Sequence, residues 1–555
     1  MRNGRRTIVI ASMTIAVVLT MLVSYPVLAQ GRSAQVLSNS VVNEPVQADV
    51  SAPLRDYSVG PITLSSRAHA PLKPKLQQLK GAGTSAGEPL QSLVGIASAS
   101  VGLNFQGISG DPGSPATINC PVVSGVQLAP PDTNAAIGDT QIVQWVNICY
   151  SVYDKATGNL IAGPLPGNHF WSGFTGNVCG FRNDGDIIIQ LDKANHVWVA
   201  SQNVFNPWLT CIAVSKTADA TGAYNRYAFT QPGLPDYPKW GLTSSIYYQT
   251  QNDFGPSGSG YMGVNVCAYD AAAMRAGKKN AKQVCILDNS NGTLFDDSML
   301  PADTDAVPSS GGTGSEVLVG SIDNLNPGSD VYEYVMTVNM KKGTATLAGV
   351  NGSMPIAVPT YSLACGGFGA CIPQPSPGSE LLDALADRLM YRLAMFDDGT
   401  TQHFLVTHSV NDGVAVGARW YEFTAPEGST SLSLAQSGQT PADGHYRWMG
   451  SIARDKFGDI ALGYSRSSTA AGDYPSIYVS GQTAGETPGT TDPEVLVKQG
   501  SGSQFFTASR WGDYSSMALD GADHCTFLYT TEYYPFDGSF QWYTWLAAVK
   551  FPSCP

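Results

Sequence analysis

Short runs in which apolar and polar residues alternate recur along most of this chain, and turns rich in Gly, Asp and Asn separate them. Alternation with a period of two is the pattern of a half-buried β-strand. The segment "RWMGSIARDKFGDIALGYS", from residue 447, is one example: two such runs flank the turn "DKFGD". The pattern predicts an all-β protein, in which residues 378–390 are the best candidate for a short helix.

One layout repeats at intervals of roughly 50 to 80 residues: a polar cluster, a short strand, a turn and an aromatic or β-branched strand. Six clear copies and a weaker seventh begin near residues 130, 182, 235, 300, 385, 446 and 509. Each copy has room for a four-stranded antiparallel blade, and turn-rich repeats of this size are typical of β-propellers. The sequence therefore predicts a single seven-bladed propeller over 99–555, closed by the alternating N-terminal strand 99–108.

The first 98 residues do not carry this repeat. Three arginines precede an apolar run from Ile8 to Val23, and small residues lead up to Ala29, which is the layout of a signal peptide over 1–29. Residues 30–98 are rich in Ser, Ala, Pro, Val and Gln, so we expect a linker or leader of low order. An uncleaved anchor is the alternative. After cleavage we expect a secreted or periplasmic monomer without a membrane span.

The ten cysteines all follow this predicted signal. An even number in an exported chain favours disulfides, and we predict Cys365–Cys371 and Cys525–Cys554, with the other six unassigned. The net charge of −13 makes nucleic acid an unfavourable partner, because an acidic chain repels phosphate backbones.

In a propeller, the loop that leads into the first strand of a blade and the loop between its second and third strands open on the same face. Polar side chains of these loops are therefore predicted to converge at the mouth of the central channel. The candidates for catalysis are Asp513, Glu532, Tyr533, Asp387 and His408. The candidates for substrate binding are Arg182, Arg388, Arg447, Arg510, Asp236, Trp208 and Tyr474.

Four motifs, "PDYPKWG", "RLMYRLA", "RWMGSIARDKFGDIALGYS" and "RWGDYSSM", resemble those of a family of secreted bacterial β-propeller proteins. Most members of that family have no assigned activity, and they are loosely sialidase-like. The resemblance covers residues 125–555. It implies the fold and export, but fold alone does not give a reaction.

The first functional hypothesis is a carbohydrate-active enzyme, either a glycoside hydrolase or a polysaccharide lyase, that acts on extracellular glycans. Glycosidases need two carboxyl groups, and Asp513, Asp387, Asp236 and Glu532 are the candidates. A sialidase would instead use a tyrosine beside a glutamate, such as Tyr533 and Glu532, while arginines hold the substrate carboxylate. In a lyase, His408 would be the base.

Three alternatives stay open. The Asp and Arg residues would serve structure alone if they pair with each other and with backbone N–H groups to lock neighbouring blades. The protein would be non-enzymatic if it is a lectin-like or cell-surface module that binds a glycan or a surface protein. The converging carboxylates would also suit Ca²⁺ or Mg²⁺ in the central channel, because both ions prefer oxygen ligands.

Overall fold

Antiparallel β-strands make up nearly all of the regular structure in this computed structural model, as the alternation predicts. The structure describes residues 33–58, 99–121, 129–256, 260–289, 296–306, 314–321, 326–367 and 369–555. The predicted signal peptide and most of the predicted leader lie outside these residues. The helical elements described are the short α1 (Ala271–Arg275) and the 3-10 turns Leu54–Asp56, Gly167–Trp171 and Ala364–Gly366.

Residues 33–57 form strands, so the expectation of a low-order leader is wrong for this part of the chain. The segment contains β1 (Val36–Leu37), β2 (Val41–Asn43) and β3 (Gln47–Val50). After the residues outside the description, β4 (Ser100–Ser109) follows.

Seven four-stranded antiparallel units can be traced in the described residues. Unit 1 contains β5 (Thr133–Ile137), β6 (Gln141–Val146), β7 (Cys149–Asp154) and β8 (Leu160–Pro166). Unit 2 contains β9 (Ile188–Asp192), β10 (Val197–Phe205), β11 (Trp208–Ser215) and β12 (Tyr224–Thr230). Unit 3 contains β13 (Leu234–Leu242), β14 (Ile246–Phe254), β15 (Tyr261–Asp270) and β16 (Gln283–Asp288).

The remaining units continue this order. Unit 4 contains β17 (Leu300–Thr304), β18 (Ser315–Gly320), β19 (Gly328–Asn339) and β20 (Thr344–Ala348). Three connecting strands follow: β21 (Pro355–Leu363), β22 (Ala370–Ile372) and β23 (Leu382–Asp383). Unit 5 contains β24 (Met390–Asp397), β25 (Thr401–Asn411), β26 (Val416–Pro426) and β27 (Ser433–Gln439).

Unit 6 contains β28 (Tyr446–Arg454), β29 (Ile460–Ser467), β30 (Ser476–Gln482) and β31 (Val495–Lys498). Unit 7 contains β32 (Ser516–Leu519), β33 (Phe527–Tyr533) and β34 (Tyr543–Lys550). Its fourth strand is β4, which pairs with β34, so the N-terminal strand predicted from residues 99–108 completes the last unit.

The N-terminal strands lengthen three of these sheets. β3 pairs with β12, β2 with β16 and β1 with β20, each antiparallel and each at the outer edge. An outer strand otherwise presents unpaired N–H and C=O groups. The segment therefore covers the edges of units 2, 3 and 4.

The predicted helix over 378–390 is absent from the structure, where this segment contains the two-residue strand β23 and ends at the first residue of β24. Leu382, Leu385 and Leu389 all enter the apolar core, and Asp383 Oδ1 accepts a hydrogen bond from the backbone N–H of Trp511 at 3.0 Å. These tertiary contacts outweigh the local helical preference.

Apolar side chains fill the space between neighbouring sheets. The indole rings of Trp448 and Trp511, which both lie fully buried, are 5.6 Å apart where units 6 and 7 meet. Units 1 and 2 approach closely at Gly138, where a Cβ atom would lie 2.5 Å from the Trp198 ring. At this position a larger residue would force the two sheets apart.

All ten cysteines are paired, and both predicted disulfides, Cys365–Cys371 and Cys525–Cys554, are present. The other three are Cys120–Cys149, Cys179–Cys211 and Cys267–Cys285. Within the part of the chain that the structure describes, none of the helices has the length and apolar character needed to cross a membrane.

Candidate active site at the lead-in loops

The lead-in loops, the segments directly before or at the start of the first strand of each unit, share an unusual backbone conformation. Asp132, Asp186 and Tyr237 have φ angles of 46°, 50° and 55°. Aspartate tolerates this left-handed region better than most residues. The conformation brings each carboxylate across to a neighbouring unit: Asp186 Oδ2 accepts from the backbone N–H of Tyr237 at 3.0 Å. These aspartates therefore join adjacent units, as one of the alternatives from the sequence proposes.

A pair of carboxyl groups lies where units 2 and 3 meet. Asp186 and Asp236 are both buried and lie near enough for their charges to interact. Burial raises the pKa of Asp186 well above its usual value, and the nearby charges of Asp236 and Asp132 raise it further. The protonated form of Asp186 is therefore favoured.

Glu532 lies beneath a partly exposed ion pair formed by Arg510 and Asp513. Arg510 Nε is also 3.1 Å from Asp383 Oδ2. The side chain of Arg510 is 16% exposed, whereas Glu532 is 2% exposed. The structure thus brings together the three residues that the sequence analysis placed at one mouth: Arg510, Asp513 and Glu532.

Neither carboxylate oxygen of Glu532 has a hydrogen-bond partner among the described residues. Burial raises the pKa of Glu532 well above its usual value; the charges of Asp132 and Asp383 add to this, and Arg510 partly offsets it. This environment favours the protonated form of the carboxyl group, which can act as a proton donor.

Tyr533 does not face the same site as Glu532, so the predicted pairing of these two residues is wrong. Successive side chains of a strand point to opposite faces, and both residues belong to β33. The Tyr533 hydroxyl donates to Gln106 Oε1 at 2.7 Å, and its ring packs against Trp545. The tyrosine close to Glu532 is Tyr534, whose pKa the Glu532 charge raises in addition to burial.

The centre of the lead-in loops is filled by side chains. Arg388 donates to both oxygens of Asp387, at 3.0 and 2.5 Å, and its guanidinium lies 4.6 Å from the centre of the Tyr237 ring. Lys239 Nζ lies 3.4 Å from the same ring and 4.2 Å from the Tyr514 ring. Deeper along the first strands, a cavity beside Tyr391 has a volume of only about 10 Å³. Side chains therefore fill much of the space around Tyr237 and Tyr391.

His408 lies inside unit 5, between the rings of Tyr361 and Tyr421. Its Nε2 is 3.0 Å from the Tyr421 hydroxyl. Burial lowers the pKa of His408 to about 3, and the charge of Arg419 contributes to this shift. The imidazole is consequently neutral at all physiological pH values.

The other predicted binding residues are distributed over units 2 and 6. Arg447 is buried and paired with Asp443 and Glu494, at 2.8 and 2.6 Å. Arg182 Nη2 donates to the carbonyl oxygen of Asn206 at 2.9 Å. Trp208 begins β11 opposite Phe205 and is half-buried, and Tyr474 is half-buried before β30.

Within the described ranges, the one group of three His, Cys, Asp or Glu residues with converging ligand atoms is Asp523, Cys525 and Cys554. Both of its cysteines belong to a disulfide. This group is therefore not a metal centre.

No family model and no curated protein matches this chain. Among solved structures, it is similar to the polysaccharide lyase Uly1, with 10% identity over 76% of this chain and 90% of that chain and a TM-score of 0.37. It is also similar to a subtype N11 neuraminidase-like protein of A/flat-faced bat/Peru/033/2010 (H18N11), with 9% identity over 73% of this chain and 97% of that chain and a TM-score of 0.31. A third similar structure is the Trypanosoma rangeli sialidase, with 10% identity over 64% of this chain and 53% of that chain and a TM-score of 0.29. Similarities this low assign neither a family nor an activity.

Two acidic residues that hold the Glu532 site together were not among the predicted candidates. Glu380 accepts hydrogen bonds from the backbone N–H groups of Thr507 and Ser509, at 2.9 and 2.8 Å, and thereby fixes the loop that leads to Arg510. Asp383 pairs with Arg510 itself. Both lie in the segment interpreted as a helix, more than 120 residues before their partners. No local sequence signal connects the two segments.

Proposed function

We propose that the units close into a secreted, seven-bladed β-propeller. Support comes from contacts between the last and the first unit. Ser516 Oγ donates to the carbonyl oxygen of Ala135 at 3.3 Å, and Thr133 Oγ1 donates to that of Thr530 at 3.4 Å. Five disulfides are typical of proteins that fold in an oxidising compartment, which supports export. Cleavage after Ala29 stays a prediction.

We further propose that the protein is a carbohydrate-active enzyme, a glycoside hydrolase or polysaccharide lyase that acts on acidic extracellular glycans. The observation that carries this proposal is the buried carboxyl group of Glu532, whose two oxygens have no hydrogen-bond partner in the described structure. Such a group is suited to be the proton donor that cleavage of a glycosidic bond requires.

The ion pair above Glu532 would provide substrate recognition. A uronate or sialate carboxylate can replace Asp513 at Arg510 and bind the guanidinium with both of its oxygens. The exchange would place the sugar over Glu532 and release the Asp513 carboxylate as the second carboxyl group of the reaction. Because both rim side chains are partly exposed, this exchange needs no rearrangement of the strands.

Turnover of uronate- and sialate-containing polysaccharides tests the proposal, with separate assays for new reducing ends and for unsaturated products. Glu532→Gln keeps the shape of the side chain but cannot transfer its proton, so kcat should fall by about 10²- to 10⁴-fold. Tyr533→Phe is the matched control, since its hydroxyl faces Gln106, and it should retain activity within about twofold. Equal activity of wild type and Glu532→Gln would contradict the assignment.

A non-enzymatic role as a glycan- or protein-binding module is the second candidate. It is favoured by the engagement of Arg388, Arg447 and Arg510 in ion pairs with the protein's own carboxylates, because arginines paired in this way serve the structure rather than a substrate carboxylate. Binding on a glycan array without any product, unchanged by Glu532→Gln, would support this role and exclude catalysis at Glu532.

The monomeric state and a bound Ca²⁺ or Mg²⁺ also stay proposals. We would place such an ion at the Asp186–Asp236 pair, because both ions prefer carboxylate oxygens. A rise of Tm on addition of either ion, abolished by Asp186→Asn, would support the site. Sedimentation velocity tests the monomer.

A further inference from the structure

A second cavity lies at the end of the units opposite to Glu532. It has a volume of about 180 Å³, somewhat larger than the apolar cavity of about 150 Å³ that binds benzene in an engineered protein core. Leu242, Thr304 and Asp397, the last residues of β13, β17 and β24, line it together with Glu316 of β18. We call it the strand-end pocket. Because the lead-in loops precede these same strands, the pocket is distinct from the site around Glu532.

Three oxygen atoms in the strand-end pocket lack a hydrogen-bond partner among the described residues: Thr304 Oγ1, Glu316 Oε1 and Asp397 Oδ2. Glu316 is 5% exposed and Asp397 is 7% exposed. Buried polar atoms are almost always hydrogen-bonded, and leaving one unpaired costs free energy. All three atoms are oxygens that can accept a hydrogen bond. A ligand with several N–H donors would therefore bond to all three at once.

The remaining walls restrict the class of ligand further. Leu242, Val317 and Phe404 present hydrocarbon to the pocket. The ammonium of Lys193, which also lines it, is held by Asp305 at 3.0 Å. An anionic ligand would therefore lie next to carboxyl groups, and Lys193, which is already paired with Asp305, would not offset its charge. A cation with an apolar body fits both the charge and the hydrocarbon surface.

We propose that the strand-end pocket binds a small primary amine in its ammonium form. The ammonium group donates to Glu316, Thr304 and Asp397, and the hydrocarbon part lies against Leu242, Val317 and Phe404. The proposal does not depend on the activity proposed at Glu532.

Proton release is a consequence of this geometry. Burial raises the pKa of Glu316 well above its usual value, and the charge of Asp303 adds to it. An ammonium ion that takes the place of this proton would displace it into solvent. The other charged side chains that line the pocket are Asp192, Lys193, Asp397 and Glu427.

Isothermal titration calorimetry of the full chain with butylammonium tests the proposal, with 1-butanol and N-acetylglucosamine as uncharged probes. Butylammonium should bind, and the uncharged probes should bind at least tenfold more weakly. Repeating the titration in two buffers with different ionisation enthalpies should show protons released on binding. Equal binding of 1-butanol, preferential binding of the sugar, or no binding of butylammonium would each overturn the proposal.

Three variants locate the binding. Glu316→Gln, Asp397→Asn and Thr304→Val should each weaken butylammonium at least tenfold, provided that circular dichroism shows the fold intact. If Glu316→Gln does not fold, the affinities of Asp397→Asn and Thr304→Val for butylammonium show whether the amine binds in the strand-end pocket. Glu44→Gln, an exposed position on the N-terminal segment, is the matched control and should leave the affinity unchanged. Affinity that is insensitive to all folded pocket variants would show that the amine binds elsewhere.

Discussion

Asp132 and Asp513 are 381 residues apart in the chain, yet Asp132 Oδ1 accepts a hydrogen bond of 2.6 Å from the backbone N–H of Asp513. The second oxygen, Oδ2, accepts from Asn147 Nδ2 at 3.0 Å. Asp132 is buried; its bond to Asp513 connects the lead-in loops of units 1 and 7, and its bond to Asn147 lies within unit 1. One carboxylate thus joins the beginning of the repeat to its end.

Replacing this carboxylate should destabilise the whole fold. Asp132→Ala removes the acceptor of the buried Asp513 N–H and of one Asn147 N–H, and it places alanine at a φ of 46°. We expect the free energy of unfolding in urea to fall by about 2–4 kcal/mol. Asp132→Asn keeps an acceptor and tolerates the backbone conformation, so it should lose less than half as much.

The control for this prediction is Asp139→Ala in the same unit. Asp139 pairs with His196 at 3.0 Å, but both side chains are largely exposed, so the expected loss is about 0–1 kcal/mol. Equal losses for Asp132→Ala and Asp139→Ala would refute the role of Asp132 as a link between units.

The N-terminal segment is held by an ion pair whose arginine is buried. Arg226 Nε and Nη2 donate to the two oxygens of Asp49 at 2.9 and 2.8 Å, and the arginine side chain is 1% exposed. Asp49→Ala leaves the guanidinium charge without its carboxylate and should cost about 1–3 kcal/mol. Limited proteolysis should then cut within residues 33–57 faster than in wild type. Arg55→Ala breaks an exposed pair with Asp219 and should change neither measurement appreciably.

The disulfides should differ in their contribution to stability. Cys525–Cys554 spans 29 positions, whereas Cys365–Cys371 spans only 6. In the chain-entropy description, the longer loop constrains the unfolded chain more. Replacing both members by serine should cost about 2–4 kcal/mol for the first pair and about 1 kcal/mol less for the second. The opposite order in urea unfolding would contradict this description.

The position of a strand can be predicted from the sequence wherever the strand is long enough to show alternating apolar and polar residues. Residues 99–108 alternate over ten positions, and Ser100–Ser109 indeed pairs with β34. The strands β1 to β3 are two to four residues long. Strands this short form because they pair with the outer strands of units 2, 3 and 4, and composition does not reveal such pairing. From composition alone, the segment is therefore interpreted as a linker.

The proximity of Asp513 and Glu532 could be predicted because it follows from the register of the β32–β33 hairpin. Ser516 lies opposite Thr530 in the β32–β33 pair, so the residues just before Ser516 lie level with those just after Thr530. The same strand alternation, applied one residue further, would have excluded Tyr533. The contributions of Glu380 and Asp383 depend on contacts between distant segments, which a single sequence does not encode locally.

Asp253, at the end of unit 3's second strand, should give stability a measurable pH dependence. The residue is fully buried; its Oδ1 accepts from Gln251 Nε2 at 2.8 Å, and its Oδ2 has no partner among the described residues. Burial raises the pKa of Asp253 to about 8, although the bond from Gln251 opposes the shift. Below about pH 4 the folded and unfolded states both carry the proton.

Between about pH 4 and 8, the unfolded state releases this proton and the folded state keeps it. Stability therefore falls as pH rises through this window, by up to about 1.4 kcal/mol per pH unit for this group. Asp253→Asn cannot ionise, so its advantage over wild type in urea unfolding should grow steadily from about pH 5 to about pH 8. Asp139→Asn, at the exposed hairpin of unit 1, should run parallel to wild type. If Asp253→Asn also runs parallel, the Asp253 carboxyl is ionised in the folded protein and must have a compensating partner.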